Sequence, residues 1–414
     1  MTAPAGARVP GQTSGHPALR RLVATDIAEF ADRTWGREPL LSPSERLPQR
    51  FDDLLSAAAV DELVSERGLR TPFLRVAKEG STLADRTFTA PGGVGASIGD
   101  QVSDDKLVQL FAGGATMVLQ GLHRIWPPLV RFTQQLAADL GHPVQANAYV
   151  TPPQSRGFDD HYDVHDVFVL QVEGTKRWRI RRPVHPSPLR DQPWTDRRAA
   201  VERAAREEPL LDVVLRPGDC LYLPRGYLHA ATALGGVSTH LTLGVHTWTR
   251  YALAEELLSA ALERLAEDVG VRDSLPLGTT AENPAAWADD LELVRGALER
   301  ALREVTAERV GTGMSVRVRA AQRAAPVGPL QQLRAATASD PTTVLRLRPH
   351  LAARLHEAPS GGGLVLHSRA GRLGLDVADR PLVERLLSGE PVTVAETGDD
   401  LARRLLLAAV VVPA

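Results

Sequence analysis

The fold of this chain depends on two stretches, HYDVHDVFVLQVEGTKRWRI at residues 161–180 and PRGYLH at residues 224–229. In the first, residues 167–172 form an apolar run typical of a buried strand, Glu173-Gly174 predicts a turn, and residues 176–180 predict a returning strand. Residues 211–215 and 220–223 flank an Arg-Pro-Gly-Asp turn and predict a second hairpin. A small closed barrel can bring two such hairpins together at its mouth.

Three polar residues at these strand ends predict a metal site. His161 and Asp163 point the same way if their segment is extended, because side chains alternate along a strand. His229 follows the strand-like run of residues 220–223. Two imidazoles and one carboxylate hold non-haem Fe(II) on one face and leave other positions open. A histidine and an aspartate at this spacing also recur by chance beside turns. Their strand placement and the second histidine favour the metal site over that structural alternative.

Three further side chains are candidates for binding a cosubstrate. Lys176 is either a solvated strand residue or, if it points into an apolar barrel, a cation that needs an anionic partner. A dicarboxylate that chelates the metal at one end would present its far carboxylate to such a lysine. Asn147 and Tyr149 alternate onto one face of the extended segment 145–151. Their polar ends could serve a cosubstrate, a substrate or only the barrel wall.

The composition excludes several classes of protein. A chain of 414 residues predicts two or three domains, and 43% hydrophobic residues are enough to fill their cores. A net charge of -2 gives no general electrostatic case for nucleic acid as the main partner. Cys220 is the only cysteine, so we expect no disulfide, no cysteine-based metal site and a cytoplasmic location. Residues 1–21 predict a disordered tail without a signal peptide, and we expect no membrane association.

Two regions follow the predicted barrel of residues 22–249. Apolar residues recur at helical spacing through residues 250–310, which predicts a helical region that caps the barrel or pairs with a copy of itself. A linker rich in Arg, Ala, Pro and Gly, roughly residues 311–329, precedes a small module at residues 325–414. Its predicted helix after Asp379 and hairpin at 364–375 indicate a winged-helix-like domain. Acidic residues of this module argue against direct nucleic-acid binding, namely Asp376, Asp379, Glu384, Glu396, Asp399 and Asp400.

A joint set of segments carries a family resemblance. The segments are NAYVTP (147–152), HYD (161–163), residues 167–179, RPGD (216–219), LPRG (223–226) with His229, STHLTL (238–243) and WGREPL (35–40). Together they strongly resemble the JmjC-type 2-oxoglutarate/Fe(II) oxygenases of the bacterial ribosomal oxygenase (cupin-like) family. The resemblance covers the oxygenase region well and extends more loosely over the helical and C-terminal regions.

The resemblance implies a mixed α+β fold. It implies a double-stranded β-helix (jelly-roll or cupin) JmjC barrel, a helical dimerisation region and a C-terminal winged-helix-like domain. It implies His161, Asp163 and His229 as iron ligands and Lys176 as the cation for the far carboxylate of 2-oxoglutarate. Asn147 and Tyr149 fall where the family lines its cosubstrate and substrate pocket. The implied activity is a dioxygenase that uses Fe(II), 2-oxoglutarate and molecular oxygen to hydroxylate a protein side chain, histidine or arginine of a ribosomal protein. The implied assembly is a homodimer.

The sequence also departs from the family pattern. His165 stands where the family commonly has an apolar residue. It could support the metal ligands, compete with them as a ligand or lie at the surface near the barrel mouth, and we expect one of the two non-ligand roles. His240 and His246 line the pocket or are ordinary barrel histidines. Asp159, Asp160 and Asp166 form either an acidic rim suited to a basic peptide or part of a solvated loop.

Three other functions remain open at this point. The same site would serve an oxygenase of a peptide natural product or small molecule. A barrel without catalysis would be a binding module whose winged helix contacts nucleic acid or protein. A cupin-type isomerase or thiol dioxygenase would need no buried cation, so Lys176 argues against it.

Overall fold

The computed structural model describes residues 15–153, 155, 159–280, 282–338, 340–358 and 361–414. The chain divides into two compact units, one ending at Thr247 and the other beginning at Trp248. The predicted helical region and the predicted C-terminal module both fall in the second unit, and the boundary between them stays a prediction.

The first unit combines an antiparallel sheet with helices, in agreement with the mixed α+β prediction. Its helices are α1 (Ile27–Glu29), α2 (Ala57–Ser65), α3 (Asp104–Ala112), α4 (Leu122–Ile125), α5 (Pro127–Leu140) and α6 (Arg198–Ala204). Its strands are β1 (Leu40–Ser42), β2 (Leu74–Lys78), β3 (Ser81–Thr82), β4 (Thr89–Ala90), β5 (Gln101–Val102), β6 (Thr116–Leu119), β7 (Val144–Thr151), β8 (Asp166–Arg181), β9 (Leu211–Leu215), β10 (Cys220–Leu223) and β11 (Leu228–Val245).

The main sheet has nine strands, in the order β1-β10-β8-β11-β7-β6-β2-β3, with β9 paired to β8. Alternation decides which side chains face the helices. Leu241, Leu243 and Val245 of β11 are fully buried in the largest core, with which α5 also packs. His240 and Thr242 point to the other face and line a cavity. β11 therefore has one apolar face and one polar face.

Both predicted hairpins are wrong. β8 does not reverse at Glu173-Gly174 but continues from Asp166 to Arg181, because both of its halves pair with the same long strand, β11. β9 and β10 also run in one direction, since both lie antiparallel to β8, with Leu215 opposite Lys176 and Cys220 opposite Leu170. Long bent strands, and not tight hairpins, bring the two site segments together.

The bend in these strands has an identifiable cause. Gly174 adopts a φ of 64°, and a Cβ there would lie 2.0 Å from the Val237 carbonyl oxygen, so only glycine allows this approach to β11. The Gln171 amide nitrogen donates to the Glu173 and Gly174 carbonyl oxygens and to Ser238 Oγ, at 2.8–3.2 Å. The Asp219 carboxylate accepts from the backbone N–H of Arg216, which closes the turn between β9 and β10. Gly174 and Asp219, whose residue types are typical of turns, thus stabilise bends in long strands.

The N-terminal tail is shorter than predicted. Residues 1–14 lie outside the described residues, but Ala18 and Leu19 are each only 3% exposed. Their backbone N–H groups both donate to the carboxylate of Asp139, at 2.8 and 2.9 Å. The prediction of disorder up to residue 21 is therefore wrong from Ala18 onward, because apolar packing and a carboxylate of α5 hold this segment in place.

The second unit contains helices and small sheets. Its helices are α7 (Arg250–Leu265), α8 (Val269–Arg272), α9 (Ala288–Glu304), α10 (Ala307–Ala321), α11 (Pro329–Ala338), α12 (Arg380–Leu387), α13 (Val394–Thr397) and α14 (Asp399–Leu407). Its strands are β12 (Val344–Leu347), β13 (Arg354–Glu357), β14 (Leu364–Ser368), β15 (Gly371–Leu375), β16 (Val392–Thr393) and β17 (Val411–Pro413). The predicted hairpin of residues 364–375 is β14–β15, and β13 adds a third strand that the sequence did not predict.

The predicted linker is largely helical, which is a correction. α10 runs through residues 311–321 although Gly311 and Gly313 lower helix propensity. Packing compensates, because a Cβ on Gly313 would lie 2.0 Å from the carboxylate of Glu256 in α7. Arg317 of α10 also forms an ion pair with Glu255 of α7 at 3.0 Å. Across the described part of the chain, no helix combines the length and hydropathy needed to cross a bilayer.

Candidate metal centre and its cavity

His161, Asp163 and His229 converge as the sequence predicted. Their candidate ligand atoms all lie within 4.8 Å of one another. His229 Nε2 and Asp163 Oδ2 are 3.7 Å apart. Two backbone hydrogen bonds set the spacing of the histidines, because the N–H of each donates to the carbonyl oxygen of the other, at 2.8 and 3.2 Å. Of residues 161–163, only His161 forms a β-bridge, and its partner is His229 of β11. β8 begins at Asp166, so the extended run starts later than predicted.

Hydrogen bonds also fix which ring nitrogen faces the group. His161 Nδ1 lies 2.7 Å from the carbonyl oxygen of Asp159, and His229 Nδ1 lies 3.1 Å from that of Tyr227. A carbonyl oxygen only accepts, so each Nδ1 carries the proton and each Nε2 carries the lone pair. This is the arrangement in which a second contact orients a histidine toward a metal.

The electrostatics of the group favour binding of a cation. Burial, reinforced by the neighbouring His161, lowers the pKa of His229 to about 4, so its imidazole is neutral at physiological pH. Burial alone would raise the pKa of Asp163, but the neighbouring His165, His229 and His161 together bring it below its ordinary value. At neutral pH the site therefore presents a neutral His229 imidazole and an ionised Asp163 carboxylate beside the ring of His161.

Lys176 lies in the same cavity, and its side chain is buried, with 3% of the residue exposed. Its Nζ donates to Thr151 Oγ1 at 3.0 Å and lies 3.4 Å from His240 Nδ1. Within the described part of the chain it has no carboxylate partner, and burial lowers the pKa of Lys176 to about 7. The alternative that Lys176 is a solvated strand residue is therefore excluded.

Tyr149 lines the cavity and Asn147 lies further along the same face of β7. The Tyr149 ring stacks on His240, with centroids 4.9 Å apart and planes 4° apart. Burial raises the pKa of Tyr149 to about 12, so its hydroxyl stays protonated. Asn147 Oδ1 accepts from the backbone N–H of Gly121 at 3.1 Å. That bond gives Asn147 a structural role in orienting the segment before α4.

Trp178 and Thr151 are site residues that sequence reasoning did not single out. Trp178 lines the cavity, with its ring centroid 5.3 Å from that of His240 and 6.0 Å from that of His229. Trp178 could have been predicted, because it lies two residues after Lys176 on a strand and therefore shares its face. Thr151 gave no comparable signal, because its contact with Lys176 joins residues 25 positions apart.

His165 does not belong to the group of three candidate ligands, in agreement with the non-ligand expectation. Its ring stacks on His246, with centroids 5.1 Å apart and planes 7° apart. Gly244 makes room for it, since a Cβ at that position would lie 2.5 Å from His165 Cδ2. His165 and His246 thus form a stacked pair over β11, which the sequence did not predict.

The predicted acidic rim is not formed by the three aspartates. Asp166 is completely buried, and its carboxylate accepts from the Tyr222 hydroxyl at 2.6 Å and the Arg225 backbone N–H at 3.1 Å. Asp160 forms an ion pair with Arg181 at 2.6 Å. Asp166 is therefore a structural residue and not part of a rim. Asp159 and Asp160 do line the larger cavity beside the metal group, where Asp160 is paired with Arg181.

Two cavities meet at the candidate metal group. The inner cavity, of about 60 Å³, contains Lys176 and Trp178. The outer cavity, of about 670 Å³, is lined by Arg75, Trp194 and Arg198 among others. His161, Asp163 and Tyr149 line both. A ligand in the inner cavity and a larger molecule in the outer one would therefore meet at the same three side chains.

Comparison with known proteins identifies this region. A family model described as JmjC domain matches residues 124–253. The chain contains a JmjC domain. The JmjC domain includes Asn147, Tyr149, Lys176 and the three candidate metal ligands. The predicted resemblance to JmjC domains is confirmed over these residues.

Curated relatives of the JmjC domain carry oxygenase names. The chain is 31% identical over 262 residues to the bifunctional lysine-specific demethylase and histidyl-hydroxylase NO66 of Aedes aegypti, with 61% of this chain and 38% of that protein covered. It is 31% identical over 272 residues to ribosomal oxygenase 1 of Gallus gallus, with 65% and 43% covered. The chain thus spans less than half the length of these two relatives.

Solved structures extend the likeness of fold beyond the JmjC domain. The ribosomal oxygenase YcfD of Escherichia coli aligns with a TM-score of 0.55 at 18% identity, over 95% of this chain and 99% of that chain. YcfD in complex with cobalt and 2-oxoglutarate aligns with a TM-score of 0.54, over 94% and 96%. At this identity the match establishes the shared JmjC/cupin fold.

Proposed function

We propose that this chain is an Fe(II)- and 2-oxoglutarate-dependent oxygenase that hydroxylates a protein side chain, histidine or arginine of a ribosomal protein. One observation carries the proposal: two imidazoles and a carboxylate converge beside a buried lysine that has no carboxylate partner among the described residues. The three groups bind a metal, and the lysine provides a cation for the far end of a dicarboxylate.

The donor set fits Fe(II). Two Nε2 atoms and one carboxylate oxygen within 4.8 Å can occupy one face of an octahedral ion and leave the other positions open. Bound Fe(II), together with 2-oxoglutarate and molecular oxygen, supplies the oxidising chemistry of this class. The protein's part is to hold the three ligands through the backbone bridge and the two Nδ1–H hydrogen bonds.

The inner cavity fits the cosubstrate. Lys176 Nζ and Thr151 Oγ1 lie at the buried end, where they would bind one carboxylate of 2-oxoglutarate. A buried cation without a counter-ion is costly, and an incoming carboxylate removes that cost. Val167, Val169 and Trp178 line the same cavity and would exclude water around the chain of the cosubstrate. This requirement favours a dicarboxylate cosubstrate over the isomerase and thiol dioxygenase alternatives.

The outer cavity fits a side chain from another protein. At about 670 Å³ it is an order of magnitude larger than the inner cavity, and it opens on the metal group through His161 and Asp163. The names of the relatives, which include histidyl-hydroxylase and ribosomal oxygenase, support a ribosomal protein as substrate. We place this activity in the cytoplasm, where ribosomal proteins are synthesised.

We also propose that the chain acts as a homodimer through the helical region of residues 250–310. Large apolar side chains remain exposed on α7, with Leu253 48%, Leu258 45% and Leu262 59% exposed. A second copy would bury them. Light scattering of the intact protein and of Leu262→Glu tests this, and an unchanged mass for the variant would argue against the interface.

Succinate release tests the oxygenase proposal. The protein is purified without oxygen, loaded with Fe(II), and mixed with 2-oxoglutarate, oxygen and ribosomal proteins. We expect the unmodified chain to release succinate and to give a +16 Da product. His161→Ala should do neither. His165→Ala is the matched control, because it removes an imidazole that is not a ligand. If the protein binds 2-oxoglutarate but turns over no ribosomal protein, the result would favour a peptide natural product or a small molecule as the substrate. Absence of binding would favour a non-catalytic binding module.

A further inference from the structure

The second unit presents one sheet face that is basic. In the three-stranded sheet, Arg354 of β13 lies opposite His367 of β14, and His367 lies opposite Arg372 of β15. Directly opposed residues point to the same side of a sheet, so these three form a row across it. His356, two residues after Arg354, shares that side. We call Arg354, His356, His367 and Arg372 the basic sheet face.

The other side of this sheet is the core side. Leu355, Leu366 and Leu373 form the adjacent row, and Leu366 is only 1% exposed within the core of this unit. Arg354, His356 and Arg372 are exposed. The sheet therefore has one apolar face turned inward and one cationic face turned to solvent.

The number of acidic residues in this module did not predict a basic face, because it does not show which of them are paired with arginines. The acidic residues that argued against nucleic-acid binding are largely engaged by other arginines. Glu384 pairs with Arg380 at 3.6 Å, and Glu396 with Arg385 at 3.1 Å. Arg404 lies 3.9 Å from Asp376 and 3.8 Å from Asp400.

The arginines of the basic sheet face have no such partners. Among the described residues, Arg354 and Arg372 form no ion pair, and the same holds for Arg319 of α10. Arg319 lies close enough to His367 to act on it electrostatically. Burial first, then Arg372, His356 and Arg319, lower the pKa of His367. The depressed pKa is what an imidazole shows in a positive field without nearby anions.

The imidazoles add a second kind of contact. His356 and His367 meet edge to face, with ring centroids 5.2 Å apart and planes 86° apart. Nothing lies within 4 Å of the position that a Cβ on Gly374 would occupy, so the face stays open beside them. Flat aromatic rings between arginines suit stacked bases and phosphates together, whereas an acidic peptide would use only the charges.

We propose that the basic sheet face binds single-stranded nucleic acid, with Arg319, Arg354 and Arg372 on phosphates and the His356 and His367 rings against bases. This departs from the expectation that direct nucleic-acid binding does not occur. It does not depend on the oxygenase proposal, because it concerns the second unit alone and its test needs no metal or cosubstrate.

Fluorescence anisotropy of the full-length protein with a labelled 12-nucleotide single-stranded RNA tests the proposal. Three phosphate contacts predict that log K falls with log salt at a slope of about −2, which is roughly a 20-fold loss between 50 and 200 mM. We expect Arg354→Ala/Arg372→Ala to reduce that slope by about 1.4 and to weaken binding at least tenfold at 50 mM, by the same relation. His356→Ala is expected to weaken binding with the salt slope unchanged.

The control variant is Arg33→Ala/Arg67→Ala in the first unit, which removes the same charge from side chains that pair with Glu29 and Glu62. We expect it to retain affinity and slope. A single-stranded DNA of the same sequence separates deoxyribose from ribose, and binding of either strand supports the proposal. Equal loss in the control variant, equal binding of a polyglutamate peptide, or no binding of RNA or DNA at 50 mM salt would overturn it. Thermal denaturation of each variant identifies loss of fold.

Discussion

Binding of 2-oxoglutarate is expected to protonate Lys176 at alkaline pH. Burial lowers the pKa of Lys176 to about 7 from the ordinary 10.5, which corresponds to roughly 4.8 kcal/mol against its charged form. At pH 8.5 only about 3% of this lysine carries a proton before the ligand binds. A carboxylate beside Nζ restores the pKa toward its ordinary value, so each ligand should take up close to one proton.

The neighbouring groups do not titrate in this window. The pKa of His240 is well below 6.5 because of burial and the nearby Lys176. Burial raises the pKa of Tyr149 to about 12. Lys176 is therefore the titrating group of the inner cavity between pH 7 and 10. The neutral lysine must be protonated before 2-oxoglutarate binds. The dissociation constant for 2-oxoglutarate should therefore increase by about tenfold for each pH unit above 7.5.

Calorimetry of the Mn²⁺-loaded protein without oxygen measures this coupling. Titrations with 2-oxoglutarate in two buffers of different ionisation enthalpy give the proton uptake, expected near one at pH 8.5 and near 0.1 at pH 6. Lys176→Met should bind at least roughly 100-fold more weakly, with no proton uptake. Lys176→Arg should bind without proton uptake, because arginine stays charged. A dissociation constant that is flat from pH 7 to 9, or full affinity in Lys176→Met, would refute the assignment.

Lys176 also predicts a stability effect, and three other predictions concern the metal group and two glycines. Burial depresses the folded-state pKa of Lys176, so the penalty for its charge is full below pH 7, falls as the pH rises and vanishes near pH 10.5. Lys176→Met should therefore raise the free energy of unfolding by a few kcal/mol at pH 6, by less at pH 8.5 and not at pH 10.5. His161→Ala should weaken Co²⁺ binding roughly 100-fold or more by calorimetry, whereas His165→Ala should stay within about twofold. Gly244→Ala should cost about 1–3 kcal/mol in urea unfolding through its clash with His165, and adding His165→Ala should restore most of it; strictly additive costs would contradict the contact. Gly174→Ala should cost roughly 3 kcal/mol or more, because its Cβ meets a backbone carbonyl at positive φ, and a loss under about 1 kcal/mol would show that the bend can relax.

Local alternation in the sequence predicted much of the barrel. The faces of β7 and β11 followed from the alternation of apolar and polar residues, because one face of each strand packs on the helices. The path of the strands could not be predicted from this alternation. Glu173-Gly174 and residues 216–219 have the composition of hairpin turns, yet the partner strand continues past each bend. That partner is β11 for the first bend and β8 for the second. Strand pairing over long sequence distances decides between a turn and a bend, and composition does not encode it.

The candidate site divides in the same way. His161, Asp163 and His229 were predictable because metal ligands need particular side chains in particular places. The stacking of His165 on His246 was not, since it depends on the absence of a Cβ at Gly244. Asp166 was misinterpreted because the sequence does not distinguish a buried aspartate from one exposed at the edge of a cavity. Its Tyr222 and Arg225 partners lie more than 50 residues away.

The backbone bridge between His161 and His229 has a consequence for how the protein is supplied with metal. Two of the three ligands are tied together by main-chain hydrogen bonds, which do not use the side-chain atoms that would bind the metal. Chelation should therefore empty the site without unfolding the chain, and reloading should need no refolding. A preformed nitrogen and oxygen site of this kind accepts several divalent ions, in the order set by their intrinsic affinities. Which ion the protein carries in a cell should then depend on the ions available to it while it folds and afterwards. The proposed oxygenase activity would therefore rise and fall with the local supply of iron.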